Sequence, residues 1–178
     1  YGEKHITTPL SPFHDLSEWS KVNFLYTPKT KKDMRDILQE SHSPKRFARF
    51  VHVLEHELGH RLLAEVESAK IELTGHTAVT AELEFIDKGL LVNVARENFD
   101  DAIRAHVTRI NDAITECLNR AECRDDSIEI VILTGGPTET PLLKHAICAR
   151  FPKAQLSEDN KLSSVALGLG YDSVRKFG

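Results

Sequence analysis

With 178 residues, 40% of them hydrophobic and 28% charged, and a formal net charge of −4, the chain has the composition of one medium globular domain or two small subdomains. The mild acidity argues against a general nucleic-acid binder, whose surface needs a basic excess. The apolar runs are too short to cross a membrane. Cys117, Cys123 and Cys148 are odd in number and lack C-x-x-C spacing. That argues against a disulfide framework or a structural zinc site, and they read as reduced thiols of a cytoplasmic protein. No signal-peptide pattern is visible, and the start at Tyr1 reads as a processed chain or a fragment.

Residues 1–44 read as loop, punctuated by Pro9, Pro12, Pro28 and Pro44. Within them a short helix is expected near Lys31 to Glu40, with Thr30 as its cap, and Trp19, Phe24, Leu25 and Tyr26 are expected to pin the stretch to a neighbouring surface. A long helix is predicted from about Lys45 to Leu73, because Phe47, Phe50, Val51, Leu54, Leu58, Leu62, Val66, Ala69 and Leu73 recur at three- and four-residue steps and Gly75 follows. Residues 77–95 read as a hairpin: "TAELEFI" alternates, "DKG" turns and "LLVNVA" returns. Asn98 is placed to cap a second long helix carrying Phe99, Ile103, Val107, Ile110, Ile114 and Cys117, broken by "RDDS". "IEIVILT" is a nearly continuous apolar run, the pattern of a strand buried on both faces. "GGPTETP" ends it, Thr140 caps and Pro141 starts a helix, and a last helix is expected over roughly Leu162 to Val174.

The first long helix contains "HELGH", residues 56–60, the H-E-x-x-H signature of zinc hydrolases. At about 100° per residue, His56 and His60 fall opposite the face of Leu54, Leu58 and Leu62, and so point to solvent rather than into a dry cleft. A third ligand is required, and Glu72, Glu82 and Glu84 have no neighbour that marks one. The motif therefore reads as a solvated helix face, with a zinc-dependent hydrolase kept as an alternative. Gly59 is a poor helix former that a close contact would justify.

The segment "IEIVILTGGPTETPLL" is more informative. A strand ends in Gly135-Gly136 and leads into a helix start, at the strand end where α/β sheets bind ligands. Residues without Cβ allow the backbone to approach a flat or anionic ligand. On these grounds alone a tight connection explains the pair equally well.

The same segment resembles the adenosine loop of the actin-like ATPases, and within them the DnaK-like 70-kilodalton heat-shock chaperones, whose pattern is a hydrophobic strand followed by G-G-S-T-R-I-P. Three further stretches agree in order. "VESAKIELT" resembles the family's E-R-A-K-R-x-L-S helix end, "TAELEFIDKGLLVNVARENFDDAI" its hairpin and following helix, and "NKLSSVALGLG" its terminal segment. The polar, aromatic-bearing N-terminal stretch resembles the YegD branch.

The resemblance covers roughly residues 52–174. It implies an α/β, ribonuclease H-like fold and lobe two of a nucleotide-binding domain. Residues 1–95 would be the outer subdomain, with long helix and hairpin, and 96–178 a partial inner subdomain with the adenosine loop. It further implies that Glu67 and Lys70 hold ribose hydroxyls, that Thr74 contacts the base, and that Gly135, Gly136, Pro137, Thr138 and Glu139 form the loop around it. The ligands would be ATP or ADP, with Mg²⁺ in the full-length protein and no zinc. Partners would be a protein client or co-chaperone, with no nucleic acid and no membrane.

Several positions depart from the family pattern. Ile71 stands where an Arg stacks on the base, Pro137 and Glu139 where Ser and Arg stand, and Leu162 where an acid lies near the base. No D-x-G-T phosphate loop is present, so these residues alone are not expected to hydrolyse ATP. A non-enzymatic interaction fragment, presenting the aromatics of residues 9–26 to a partner, is the remaining alternative.

Overall fold

The N-terminal stretch is more helical than its prolines suggest. In the computed structural model, which describes residues 9–158 and 164–177, Pro12 sits in the first turn of α1 (Ser11–Ser17), Pro28 opens α2 (Pro28–Gln39) and Pro44 opens α3 (Pro44–Glu55). Proline there loses no helical hydrogen bond, since the first-turn N–H groups have no partner within the helix. The expected loop over residues 1–44 is thus corrected for its described part. A 3₁₀ turn, Val22–Tyr26, joins α1 to α2. The cap of α2 is Thr27, not Thr30: Thr27 Oγ1 accepts from the Thr30 N–H at 3.2 Å. Of the four aromatic-cluster residues, Leu25 is buried and Tyr26 half-buried, whereas Trp19 and Phe24 are 63% and 73% exposed.

The expected single helix from Lys45 to Leu73 is two helices. After α3 the chain turns at His56, Glu57 and Leu58, and α4 runs Gly59–Gly75. Glu57 has φ +56°. Its N–H bonds the Leu54 carbonyl at 3.4 Å and the Leu58 N–H bonds the Val53 carbonyl at 2.9 Å, the paired closure of a helix whose terminating residue is left-handed. The apolar steps at Leu54, Leu58 and Leu62 run straight through this break, so periodicity alone could not reveal it. What fixes α4 here is the 3₁₀ turn. Gly59 is buried, its N–H donates to Tyr26 Oη at 3.0 Å, and a Cβ on it would lie 2.6 Å from Val22 Cγ1.

Two short strands follow, β1 (Ala78–Glu82) and β2 (Leu91–Ala95), antiparallel with Val79 opposite Val94. The expected strand "TAELEFI" stops at Glu82. Residues 83–90 form the turn, closed by Leu83 N–H to Leu90 O at 2.8 Å. These elements belong to the first of two compact units, Tyr1–Ala95, whose core is Leu25, Met34, Phe47, Phe50, Val51 and Leu54. Phe13 stacks on Phe50 with ring centroids 4.3 Å apart.

The second unit is Arg96–Gly178. Helix α5 (Arg96–Arg120) begins directly after β2, so Asn98 lies inside the helix and does not cap it. A 3₁₀ turn, Asp125–Ser127, leads to β3 (Ile130–Ile132). This strand pairs in parallel with β4 (Gln155–Ser157), an element the sequence pattern did not reveal. Between them lies α6 (Pro141–Arg150), giving a β–α–β unit. The strand is not buried on both faces as the apolar run implied. Leu133 is buried and Val131 half-buried, whereas Ile130 and Ile132 are 57% and 70% exposed. The core of this unit is Val107, Leu133, Leu143, Ile147 and Phe151. Helix α7 spans Ser164–Phe177. Leu162, where the last helix was expected to begin, lies outside the described residues. No described helix is long and apolar enough to cross a membrane.

Candidate functional site

The first group of candidate residues lies on the C-terminal half of α4. Glu67, Lys70, Ile71 and Thr74 follow i, i+3, i+4, i+7 spacing and so share one face of the helix, while Leu73, 2% exposed, holds the helix to its unit from another. Lys70 Nζ donates to Glu67 Oε2 at 2.6 Å, the two side chains being 38% and 58% exposed. As a pair in solvent this contributes little to stability. Its chemical value is that one helical turn presents a carboxylate acceptor and an ammonium donor side by side. Ile71, 59% exposed, adds an apolar surface next to them. Thr74 Oγ1 donates to the Ile71 carbonyl at 2.7 Å, which holds its hydroxyl against the last turn. The arrangement can bind a polyol with hydrogen bonds and cover an adjacent flat ring by apolar contact.

The second group is the loop after β3. Leu133 N–H extends the strand pairing to the Ser157 carbonyl at 2.9 Å. Gly135 then adopts φ +91° and ψ 151°, a conformation essentially restricted to glycine. Its carbonyl accepts both the Thr138 N–H, at 3.1 Å, and Thr138 Oγ1, at 2.7 Å. These bonds curl Gly136–Glu139 into a 3₁₀ turn. A Cβ at Gly135 would approach only Pro137 Cδ, at 3.9 Å. The glycine is thus required by backbone conformation, not by crowding. Gly136, Pro137 and Glu139 are exposed and Thr138 is half-buried. Thr140 stands at the N-cap of α6 and is buried, but its side chain makes no cap bond. The Lys144 N–H nonetheless bonds the Thr140 carbonyl at 3.0 Å, so α6 starts directly from the loop. Lys144 itself pairs with Glu158 at 2.6 Å. That neighbour of the loop was not legible in the sequence, because its partner comes from the far side of β4.

The helix group belongs to the first unit and the loop group to the second. Within each, the expected residues are brought together.

The H-E-x-x-H letters do not form a zinc helix. Its geometry needs both histidines one turn apart on one helix, but His56 caps α3, Glu57 is left-handed and His60 lies in the first turn of α4. The rings have separate neighbours. His60 Nε2 is 3.1 Å from Asn23 Oδ1, and its ring lies 4.4 Å from Trp19. His60 is half-buried rather than solvated as expected, and its Nδ1 is buried without a partner. Among the described residues no group of three His, Cys, Asp or Glu side chains could hold a metal ion.

Comparison with known proteins places these groups in a family. The Hsp70 protein family model matches residues 51–172, which include both groups. Chaperone protein dnaK1 of Synechocystis sp. is 33% identical over 115 residues, covering 61% of this chain and 17% of that protein. Chaperone protein HscA homolog of Shewanella woodyi is 30% identical over 112 residues, covering 62% and 18%. A heat shock protein homolog of Lachancea kluyveri is 27% identical over 113 residues, covering 62% and 16%. The chain spans less than a fifth of the length of each of these relatives. Because the family model accounts for more than half of the sequence, the chain belongs to the Hsp70 family.

Proposed function

We propose that this chain supplies the adenosine side of the nucleotide-binding domain of a YegD-type Hsp70-family ATPase, as lobe two of an actin-like fold. Tyr1–Ala95 is its outer subdomain and Arg96–Gly178 its inner one. The observation that carries the reading is that the helix group and the glycine loop, each with locally enforced geometry, both fall inside the matched segment. Glu67 accepts from and Lys70 donates to the ribose hydroxyls. Ile71 covers the base where the resemblance expects a cation, Thr74 borders it, and Gly135 to Glu139 serve as the adenosine loop. The YegD assignment rests on the polar, aromatic-bearing stretch that precedes the matched segment.

These groups touch base and sugar, and phosphoryl transfer depends on positioning and charge stabilisation at the phosphates. The chain alone is therefore inactive, and Mg²⁺ in the full-length protein is held with the phosphates by residues outside it. A protein client or co-chaperone and a cytoplasmic location follow from the same reading.

The test is calorimetric titration of ADP into the full-length protein. Removing a charged hydrogen-bonding group costs about 1.5–3 kcal/mol, so Glu67→Ala and Lys70→Ala should each weaken binding by roughly tenfold or more. Absence of binding by the parent, or binding indifferent to both substitutions, overturns the proposal.

A further inference from the structure

A different pair of histidines has the geometry that the zincin letters lack. The stretch "HVLEHELGH" places histidines at 52, 56 and 60. The helix break separates the last of them, but the first two remain on one helix. The His56 N–H bonds the His52 carbonyl at 3.0 Å, so α-helical register persists through His56 and the two residues sit one turn apart. Their rings are neighbours, with centroids 4.3 Å apart and planes inclined by 43°.

The outer face of His52 is fixed from elsewhere in the fold. Its Nε2 lies 3.2 Å from the carbonyl oxygen of Phe85, in the turn between β1 and β2. A carbonyl only accepts, so Nε2 is the donor, and in the neutral ring Nδ1 is the nitrogen with a free lone pair. A ring nitrogen that donates to a backbone carbonyl while the other is left basic is the usual support of a metal-ligating histidine. His56 is exposed. Of the arginines around this end of α3, Arg49, one turn before His52, is paired with Asp87 at 2.8 Å, Arg35 is paired with Glu55 at 3.2 Å, and Arg61 lies over the Phe85 ring at 4.1 Å.

The geometry points to His52 and His56 as a two-imidazole chelate for a late first-row divalent ion, such as Zn²⁺ or Ni²⁺, at the C-terminal end of α3. Two neutral imidazoles suit these ions, whereas Mg²⁺ and Ca²⁺ prefer oxygen. The negative end of the α3 dipole also favours a cation there. Two protein ligands leave the remaining positions to water, so the site is a surface binding site and not a closed structural one. It is independent of the nucleotide reading.

The experiment is calorimetric titration of NiCl₂ and, separately, ZnCl₂ into the untagged chain. Single-site binding is expected. His56→Ala and His52→Gln should each lower the affinity by roughly 10- to 100-fold, the range that follows loss of groups which merely orient a ligand. Gln at 52 keeps a donor for the Phe85 carbonyl, and circular dichroism of both variants checks that the fold survives. His60→Ala should leave the affinity unchanged. Absence of saturable binding, binding insensitive to His52→Gln, or a loss in His60→Ala equal to that in His56→Ala each overturns the assignment; the last would return the site to the H-E-x-x-H pair.

Discussion

Two glutamates, Glu57 and Glu122, hold a backbone conformation that L-residues avoid, with φ of 56° and 53°. Both terminate a helix in the same way. At the second, the Glu122 N–H bonds the Asn119 carbonyl at 3.2 Å and the Cys123 N–H bonds the Leu118 carbonyl at 3.0 Å. Glycine is the usual residue at such a position because it carries no Cβ. Glu122→Gly should therefore raise stability by roughly 0.5–1 kcal/mol, read as a higher urea midpoint with unchanged slope. At Glu57 the gain should be smaller, because its carboxylate pairs with Lys31 at 2.9 Å. Gly59 shows the opposite case. Its Cβ would meet Val22 Cγ1 at 2.6 Å and Tyr26 Oη at 2.7 Å, so Gly59→Ala should destabilise by about 1–3 kcal/mol through overpacking, with a matching fall in the midpoint.

At the scale of elements, two arginines join segments distant in sequence. Arg150, at the end of α6, donates to the Asn111 carbonyl and to Thr115 Oγ1, each at 2.8 Å, and contacts Asp125 at 3.1 Å. One guanidinium thus ties α6 to α5 and to the 3₁₀ turn before β3. Arg150→Met removes the guanidinium's bonds to α5 and to Asp125, while the Asn111 carbonyl keeps the Thr115 hydroxyl at 2.9 Å. Losing these charge-assisted bonds should cost about 1.5–3 kcal/mol. Arg150→Lys should recover only part of this, because an ammonium lacks the planar fork that serves three acceptors. Chemical denaturation of the three proteins measures both effects. Arg49 does the same for α3 and the hairpin turn. Its Nε donates to Asp87 Oδ2 at 2.8 Å, and that hydrogen bond holds the Asp87 carboxyl below its ordinary value of 3.8. A carboxyl depressed in the folded state contributes stability above its unfolded value and loses it as the pH falls through the folded one. The difference in urea midpoint between the parent and Asp87→Asn should therefore be constant near neutrality and vanish in strong acid.

Among the described residues each unit of the molecule has its own core, and each contributes one group of the proposed nucleotide contacts. The departures from the family pattern give the sharpest test at this scale. If Ile71 covers a purine where a cation would stack, Ile71→Arg should tighten nucleotide binding by the full-length protein. The gain should be about 0.5–2 kcal/mol, a few-fold to roughly thirtyfold in affinity by calorimetry. Arg at an exposed helix position leaves helix propensity nearly unchanged, so the stability of the chain should not move with it.

What the sequence by itself determined was local and periodic. The spacing of Glu67, Lys70, Ile71 and Thr74 put them on one helical face, the glycine pair marked the end of β3, and Pro141 marked the start of α6, because each depends on neighbours within a turn. The family was legible for the same reason: its motifs are contiguous. What only the tertiary structure decided was where local patterns stop. Leu54, Leu58 and Leu62 keep helical spacing across a break that Val22 and Tyr26 impose on Gly59 from more than thirty residues away. Residues 83–86 alternate like a strand, yet form a turn held by His52 and Arg49. The run of Ile130, Val131, Ile132 and Leu133 reads as buried on both faces, yet has one face exposed in this chain. Periodicity records how a segment prefers to fold, whereas the end of a helix or the covering of a strand depends on which distant side chains arrive beside it.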